Sequence, residues 1–386
     1  MHITQATADA RHIKRADYTP CTEAFLDTRI PGSFPKENYS IIGPGVAQSD
    51  KQPVNLREPH GFNMGAAGLT EGLTNNLHLH FTSETFMCFS GGWLLRWGAQ
   101  GEQGNLQLNI GDIGCIPPWM FRGFSQNAAD HGMLMTVLGG DDTGGILWSP
   151  HILQAANDTG LYLTEDNILI DQHAGETLPP GKQYLKPVPQ SLIDTLKVRT
   201  VDDMKAAVLR YDERRFAPAL LDAHLDGHHS EIAPIIGFGL SQRNPSVCAD
   251  AVPKTVIPQG FTLEWLRIGA QQTVGPFKLD CKWVLMNYQG AIQISYNLAQ
   301  DAVVHTRDWD TVSILAGAWV TLHNTGHTAA EALMVCPNDN RKRPHFAPHI
   351  VQAAQQAGVE LDANDYLCPA GITPSAVALK AMAAAS

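Results

Sequence analysis

Residues 72–91 read GLTNNLHLHFTSETFMCFSG. As spacing this is G-x5-H-x-H-x3-E-x6-G, with Gly72, His78, His80, Glu84 and Gly91 at the defined positions. Side chains of an extended chain alternate between faces, so His78 and His80 share a face and Glu84, four residues on, keeps that parity. All three can point into one interior. Neutral imidazoles and a carboxylate are donors that Fe(II), Mn(II), Ni(II) or Zn(II) accept, and two histidines with one carboxylate form the facial set of non-haem iron oxygenases.

Around this run, FMCFS, WLLRW, LQLNI and MLMTVL are short apolar segments bounded by Gly, Pro and Asn, the pattern of strands in a sandwich or barrel. The pattern recurs. Gly61-Phe62 returns as Gly260-Phe261 and Gly91 as Gly290, both 199 residues on, and SPHILQAANDTGLYL from Ser149 returns as APHIVQAAQQAGVEL from Ala347, 198 residues on. One residue is lost in between. The second of these segments has proline at an early helical position, followed by Ile152, Leu153 and Ala156 or Ile350, Val351 and Ala354, so each half closes with a helix.

A chain of 386 residues suits two domains, and 17% charged residues with 34 Gly and 24 Pro favours turn-rich β structure. A formal charge of −11 without any Lys/Arg cluster argues against a nucleic-acid partner. The N-terminal stretch lacks an apolar core and no segment has the apolar length of a membrane span, which predicts a soluble, cytoplasmic protein. The seven cysteines are scattered without a CxxC pair, so reduced and mostly buried thiols are expected.

The run at 72–91 resembles the first motif of the cupin superfamily at every defining position. The family's second motif, G-x5-P-x-G-x2-H-x3-N, is answered by GDIGCIPPWMFRGFSQN from Gly111: Gly111 and Pro117 match, Trp119 replaces a glycine, and Arg122 stands where the last histidine ligand belongs. The resemblance implies an all-β fold of two tandem jelly-roll barrels, each followed by a short helix, and pairing into a homodimer. The division expected is an arm over 1–50, a metal-binding barrel over 51–169, a connector with a short helix from Thr200 over 170–250, and a degenerate, structural barrel over 251–386. Shifting by 199 puts Phe277, Leu279 and Trp283 where His78, His80 and Glu84 stand, and Thr321 where Arg122 stands. None of the first three binds a metal well, so they read as core.

A guanidinium stays protonated and accepts nothing, so Arg122 is read either as the catalytic anchor of an anionic small-molecule substrate or as a structural ion-pair partner. Phe86, Trp93, Trp97, Trp119 and Phe124 are candidates for an apolar substrate wall. The leading functional reading is an Fe(II) dioxygenase acting on a small aromatic or unsaturated oxygen-bearing compound, with Mn, Ni or Zn open. A cupin lyase, decarboxylase or isomerase is the alternative, and a non-catalytic ligand-binding bicupin is a third. His151, His323, the pair His228-His229 and Asp141-Asp142 read as structural or loop residues.

Overall fold

The computed structural model describes residues 1–237, 253–255, 258–362 and 367–371. Cys248 and the expected start of the second barrel at 251 lie outside them. The chain forms two compact units, one made of Asp17–Glu213, the other of Met1–Ala16 with Arg214–Ser386.

In the first unit, Ile146–Trp148, Thr74–His80, Arg122–Gln126, Trp93–Trp97 and Gly104–Leu108 lie side by side in a five-stranded sheet. A seven-stranded sheet runs Val208–Leu209, Ile113–Ile116, Glu84–Ser90, Gly132–Gly139, Phe62–Leu69, Glu37–Ile42, Val54–Leu56. Phe86, Cys88 and Leu134 of the larger sheet share one apolar core with Trp93, Leu95 and Phe124 of the smaller, which is the sheet-on-sheet layering the alternating apolar segments predict. Gly91, at a φ of 79°, makes the turn after Glu84–Ser90, and a Cβ there would come within 2.7 Å of the Gly132 backbone.

The second unit repeats this pairing. Its five strands run Ala302–Thr306, Ile292–Tyr296, Val320–Asn324, Thr273–Lys278, His345–Phe346, and its six run His12–Ile13, Thr311–Ile314, Trp283–Gln289, Ala330–Pro337, Phe261–Ile268, Ser230–Ile236. The closing helices are Pro150–Asn157 and Pro348–Gln356, which bury Ile152, Leu153 and Ala156 or Ile350 and Ala354.

The register corrects one alignment. Arg122 lies opposite His78, and it is Val320 that lies opposite Phe277. Val320, not Thr321, is therefore the counterpart of Arg122, because the lost residue falls in the turn after Trp93–Trp97, before the strand that carries the position. Thr321 corresponds to Gly123, where a Cβ would meet the Asn75 carbonyl oxygen at 2.7 Å.

The repeat also extends farther toward the N-terminus than sequence patterning revealed. Val208–Leu209 pairs with Ile113–Gly114 at an edge of the first barrel, and His12–Ile13 pairs with Thr311–Val312 at the same edge of the second. Each short strand follows a helix, Val201–Ala206 or Gln5–Ala10, whose N-cap, Thr200 or Thr4, accepts a backbone hydrogen bond. Residues 1–50 are thus not one arm: the first 16 complete the second barrel, while Glu37–Ile42 adds a strand to the first. The connector likewise divides between the units after Glu213.

Candidate metal centre

His78 and His80 sit at the end of Thr74–His80 in the five-stranded sheet, while Glu84 opens the next strand in the other sheet. The bend at 81–83 carries the chain from one layer to the other, so the glutamate faces the histidines across the barrel. Donor atoms of the three lie within 4.8 Å of one another, and all three residues are buried.

The backbone determines which imidazole nitrogen is free. His78 Nδ1 is 2.7 Å from the Asn76 carbonyl oxygen, and a carbonyl only accepts, so Nδ1 carries the proton and Nε2 presents its lone pair. Asn76 is itself held: its backbone N–H and side-chain amide both donate to Asp27 Oδ2, at 3.2 and 3.0 Å. Neither ring nitrogen of His80 has a hydrogen-bond partner, and Nε2 stands 3.8 Å from Glu84 Oε2. An unpartnered buried polar group is costly, and a cation between His80 and Glu84 would satisfy the nitrogen that has the lone pair. Burial, reinforced by the Arg122 charge, holds both imidazoles well below the usual histidine range and hence neutral, the form that binds metals. The donor set therefore fits one divalent ion.

Arg122 is wholly buried and donates to Glu84 Oε2 at 2.8 Å. Burial outweighs this partner and pushes the Glu84 carboxyl above the usual range, while burial lowers Arg122. The guanidinium does not line the cavity in front of the histidines. Its contact with Glu84 matches the ion-pair reading.

That cavity measures about 60 Å³, and His78, His80, Glu84, Lys36, Asn75 and Trp148 are among its walls. A site of this size exceeds the ~10–15 Å³ that one water requires and accommodates an anion of a few heavy atoms. Of the aromatic wall expected from sequence, only Phe124 reaches it. Phe86 and Trp93 pack on the far side of Phe124, with ring centroids 5.2 and 5.6 Å from it. Trp97 is core, its indole N–H donating to the Arg199 carbonyl. Trp119 is 52% exposed and stands edge-on to Phe81. These four were placed by apolar character alone, which does not distinguish filling a core from walling a cavity.

Lys36, Asn75, Asp27 and Trp148 were missed. The Lys36 side chain is 4% exposed, and its Nζ donates to Asp27 Oδ1 at 2.5 Å and Asn75 Oδ1 at 2.6 Å. A single lysine before a strand carries no local signal of burial. The recurrence of Leu26-Asp27 as Leu221-Asp222, 195 residues on, was the available clue.

The second barrel has no such centre among its described residues. Phe277, Leu279 and Trp283 are buried in its apolar core, with Phe277 and Trp283 rings 5.9 Å apart. His323 is satisfied by Thr273 Oγ1 at 3.1 Å. Asp141 accepts from the His60 and Gly61 N–H groups and its counterpart Asp339 from those of Gln259 and Gly260, so this aspartate is a turn cap in both halves. His151 bonds Ser149 Oγ at its helix start.

No family model and no curated protein sequence matches the chain. Solved structures do. An oxalate decarboxylase from Lactobacillus farciminis, in a formate complex, superposes with a TM-score of 0.51 at 13% identity, over 88% of this chain and 89% of that one. Oxalate decarboxylase from Bacillus subtilis at pH 4.6 gives 0.50 at 11% identity, over 87% and 78%. Identity this low speaks for the fold alone. With both barrels covered and the repeat paired strand for strand, the chain has the bicupin fold, two tandem jelly-roll barrels.

Proposed function

We propose that the first barrel is a mononuclear metal centre, held by His78, His80 and Glu84, that cleaves a small carboxylate in a lyase or decarboxylase reaction. The observation that carries this reading is the pair of orphaned His80 nitrogens beside a lone-pair-presenting His78 and a carboxylate, all opening on a small enclosed cavity. A divalent ion bound there supplies Lewis acidity for substrate oxygens. Two imidazoles and a carboxylate accept Fe(II), Mn(II), Ni(II) and Zn(II) alike, so the metal is a matter for elemental analysis.

The chain's own residues have separable tasks. Asp27 holds the Asn76 peptide, which fixes the His78 tautomer. Arg122 orients Glu84 through one Oε2 contact and leaves Oε1 for the cavity. Phe124 and Trp148 exclude water from the walls, so charge inside is weakly screened.

The choice of lyase over dioxygenase rests on cavity size and lining. The dioxygenase expectation drew on Phe86, Trp93, Trp97 and Trp119, which lie outside the cavity; Phe25, Tyr39, Phe124 and Trp148 line it instead, and its volume of about 60 Å³ suits a short carboxylate better than a bulky aromatic substrate. The solved structures of like fold include oxalate decarboxylases, one of them with formate. The deciding experiment offers metal-loaded protein a panel of short carboxylates, oxalate included, under argon and under air. Carbon dioxide released equally in both supports a lyase. Turnover that stops under argon and consumes oxygen stoichiometrically replaces it with an oxygenase.

A further inference from the structure

We propose that Lys36 is the anion-holding residue of this cavity, a binding residue supplied from outside both cupin-like motifs, which takes the carboxylate of the substrate while the reacting end faces His78, His80 and Glu84. This rests on the proposed metal centre for its functional meaning, though not for its geometry.

Three observations support it. An ammonium has three donors. Asp27 and Asn75 engage two of those of Lys36, and no third acceptor is present among the described residues, although the residue lines the cavity. The Phe25 and Trp148 rings, 5.0 and 5.9 Å from Nζ, screen it from water. A partly desolvated cation with a donor to spare, on the wall of a small cavity, is the arrangement that binds a carboxylate by a charge-assisted hydrogen bond. Arg122, the other buried cation among the described residues, donates to Glu84 and does not line the cavity. Lys36 is thus the cation that reaches the cavity.

The second observation is Asp27 itself, which cancels the lysine charge. A buried Lys-Asp pair contributes little net stability compared with apolar replacement, so packing alone does not account for its presence here.

The third is the internal repeat. Asp27 accepts from the Asn76 N–H, and its counterpart Asp222 accepts from the Gly275 N–H at 2.6 Å, so both units use this aspartate to pin the same strand. Lys36 directly precedes Glu37, which lies opposite Gly68, and Ser230 directly precedes Glu231, which lies opposite Arg267, so register makes Ser230 the counterpart of Lys36. Asp222 is served instead by His228 at 3.2 Å. The structural aspartate persists in both halves. The lysine occurs only in the half that has the two histidines and the glutamate.

The test measures formate binding by calorimetry, on protein as purified and on metal-stripped protein, with metal content read by elemental analysis. In Lys36→Met formate should bind about 10- to 100-fold more weakly at unchanged metal content, and the same loss should appear in metal-stripped Lys36→Met with Asp27→Asn, which leaves no unpaired buried charge. Lys36→Arg should recover part of the loss, and KM for a turned-over carboxylate should rise more than kcat falls. A titration of wild-type protein followed at the Lys36 Nζ nuclear resonance needs no variant and should show a formate-dependent shift. Wild-type formate affinity in either Met variant, or no shift at Nζ, would overturn the assignment. Wild-type protein that binds no metal yet loses formate affinity with Lys36 would sink the metal centre and leave the anion site standing.

Discussion

The two barrels are the same fold with different interiors. At the positions of His78, His80, Glu84 and Arg122 in the first, the second has Phe277, Leu279, Trp283 and Val320, so a cluster of four ionisable groups with Lys36 nearby is matched by apolar volume. Backbone hydrogen bonding is indifferent to the exchange, because side chains on the inner face of a sheet do not enter the ladder. The difference shows that strand pairing and turn capping suffice to build this barrel. The charged cluster in the first half is an addition that folding alone does not require.

The sharpest break of that comparison removes the metal donors. His78→Ala with His80→Ala should take bound metal from near one per chain to near zero and abolish turnover, while the protein still melts cooperatively. Full metal content in the double variant would mean that the donors lie elsewhere.

Next in size is the apolar half. Trp283→Ala should cost about 3–5 kcal/mol through the cavity it leaves, measured by denaturant unfolding. Because the Trp283 indole N–H has no acceptor in the core, Trp283→Phe should lose only volume, within about 1.5 kcal/mol. Equal costs for the two would show that a hydrogen bond, and not volume, holds this position.

Arg122→Met probes the ion pair. It strands a buried carboxylate, so metal-free protein should lose about 3–5 kcal/mol, less whatever Glu84 recovers by taking up a proton. Adding Glu84→Gln should restore most of that stability without restoring metal. If the single variant keeps its stability and instead loses only carboxylate affinity, Arg122 is the substrate anchor that its place in the motif first suggested.

The smallest effect compares the edge helices. Thr200 caps its helix in a reciprocal box with Asp203, whereas Thr4 accepts from the Thr7 N–H without an acidic partner in the first turn. Thr200→Ala should cost about 1 kcal/mol, and Thr4→Ala less. The reverse order in thermal melts would mean that packing, not capping, governs these segments.

The sequence by itself determined the fold and brought out His78, His80 and Glu84 as residues that can meet in one interior, since both are written in local periodicity. Alternation places His78 and His80 on one face, glycine and proline punctuate the strands, and a repeat at 198–199 residues counts the barrels. Residues that are simply apolar were harder: Trp93 and Trp97 read the same whether they wall a cavity or fill a core, because burial is all that hydrophobicity encodes. Only the tertiary structure decided the rest. Val320 replaced Thr321 as the counterpart of Arg122 once strand register located the lost residue. The first 16 residues went to the second barrel, and 200–213 to the first, through edge-strand pairing that two-residue strands do not announce. Lys36 came to line the cavity because contacts 9 and 39 positions away, with Asp27 and Asn75, bury its charge. A charge is buried by partners distant in the chain, and no local pattern at Lys36 records them.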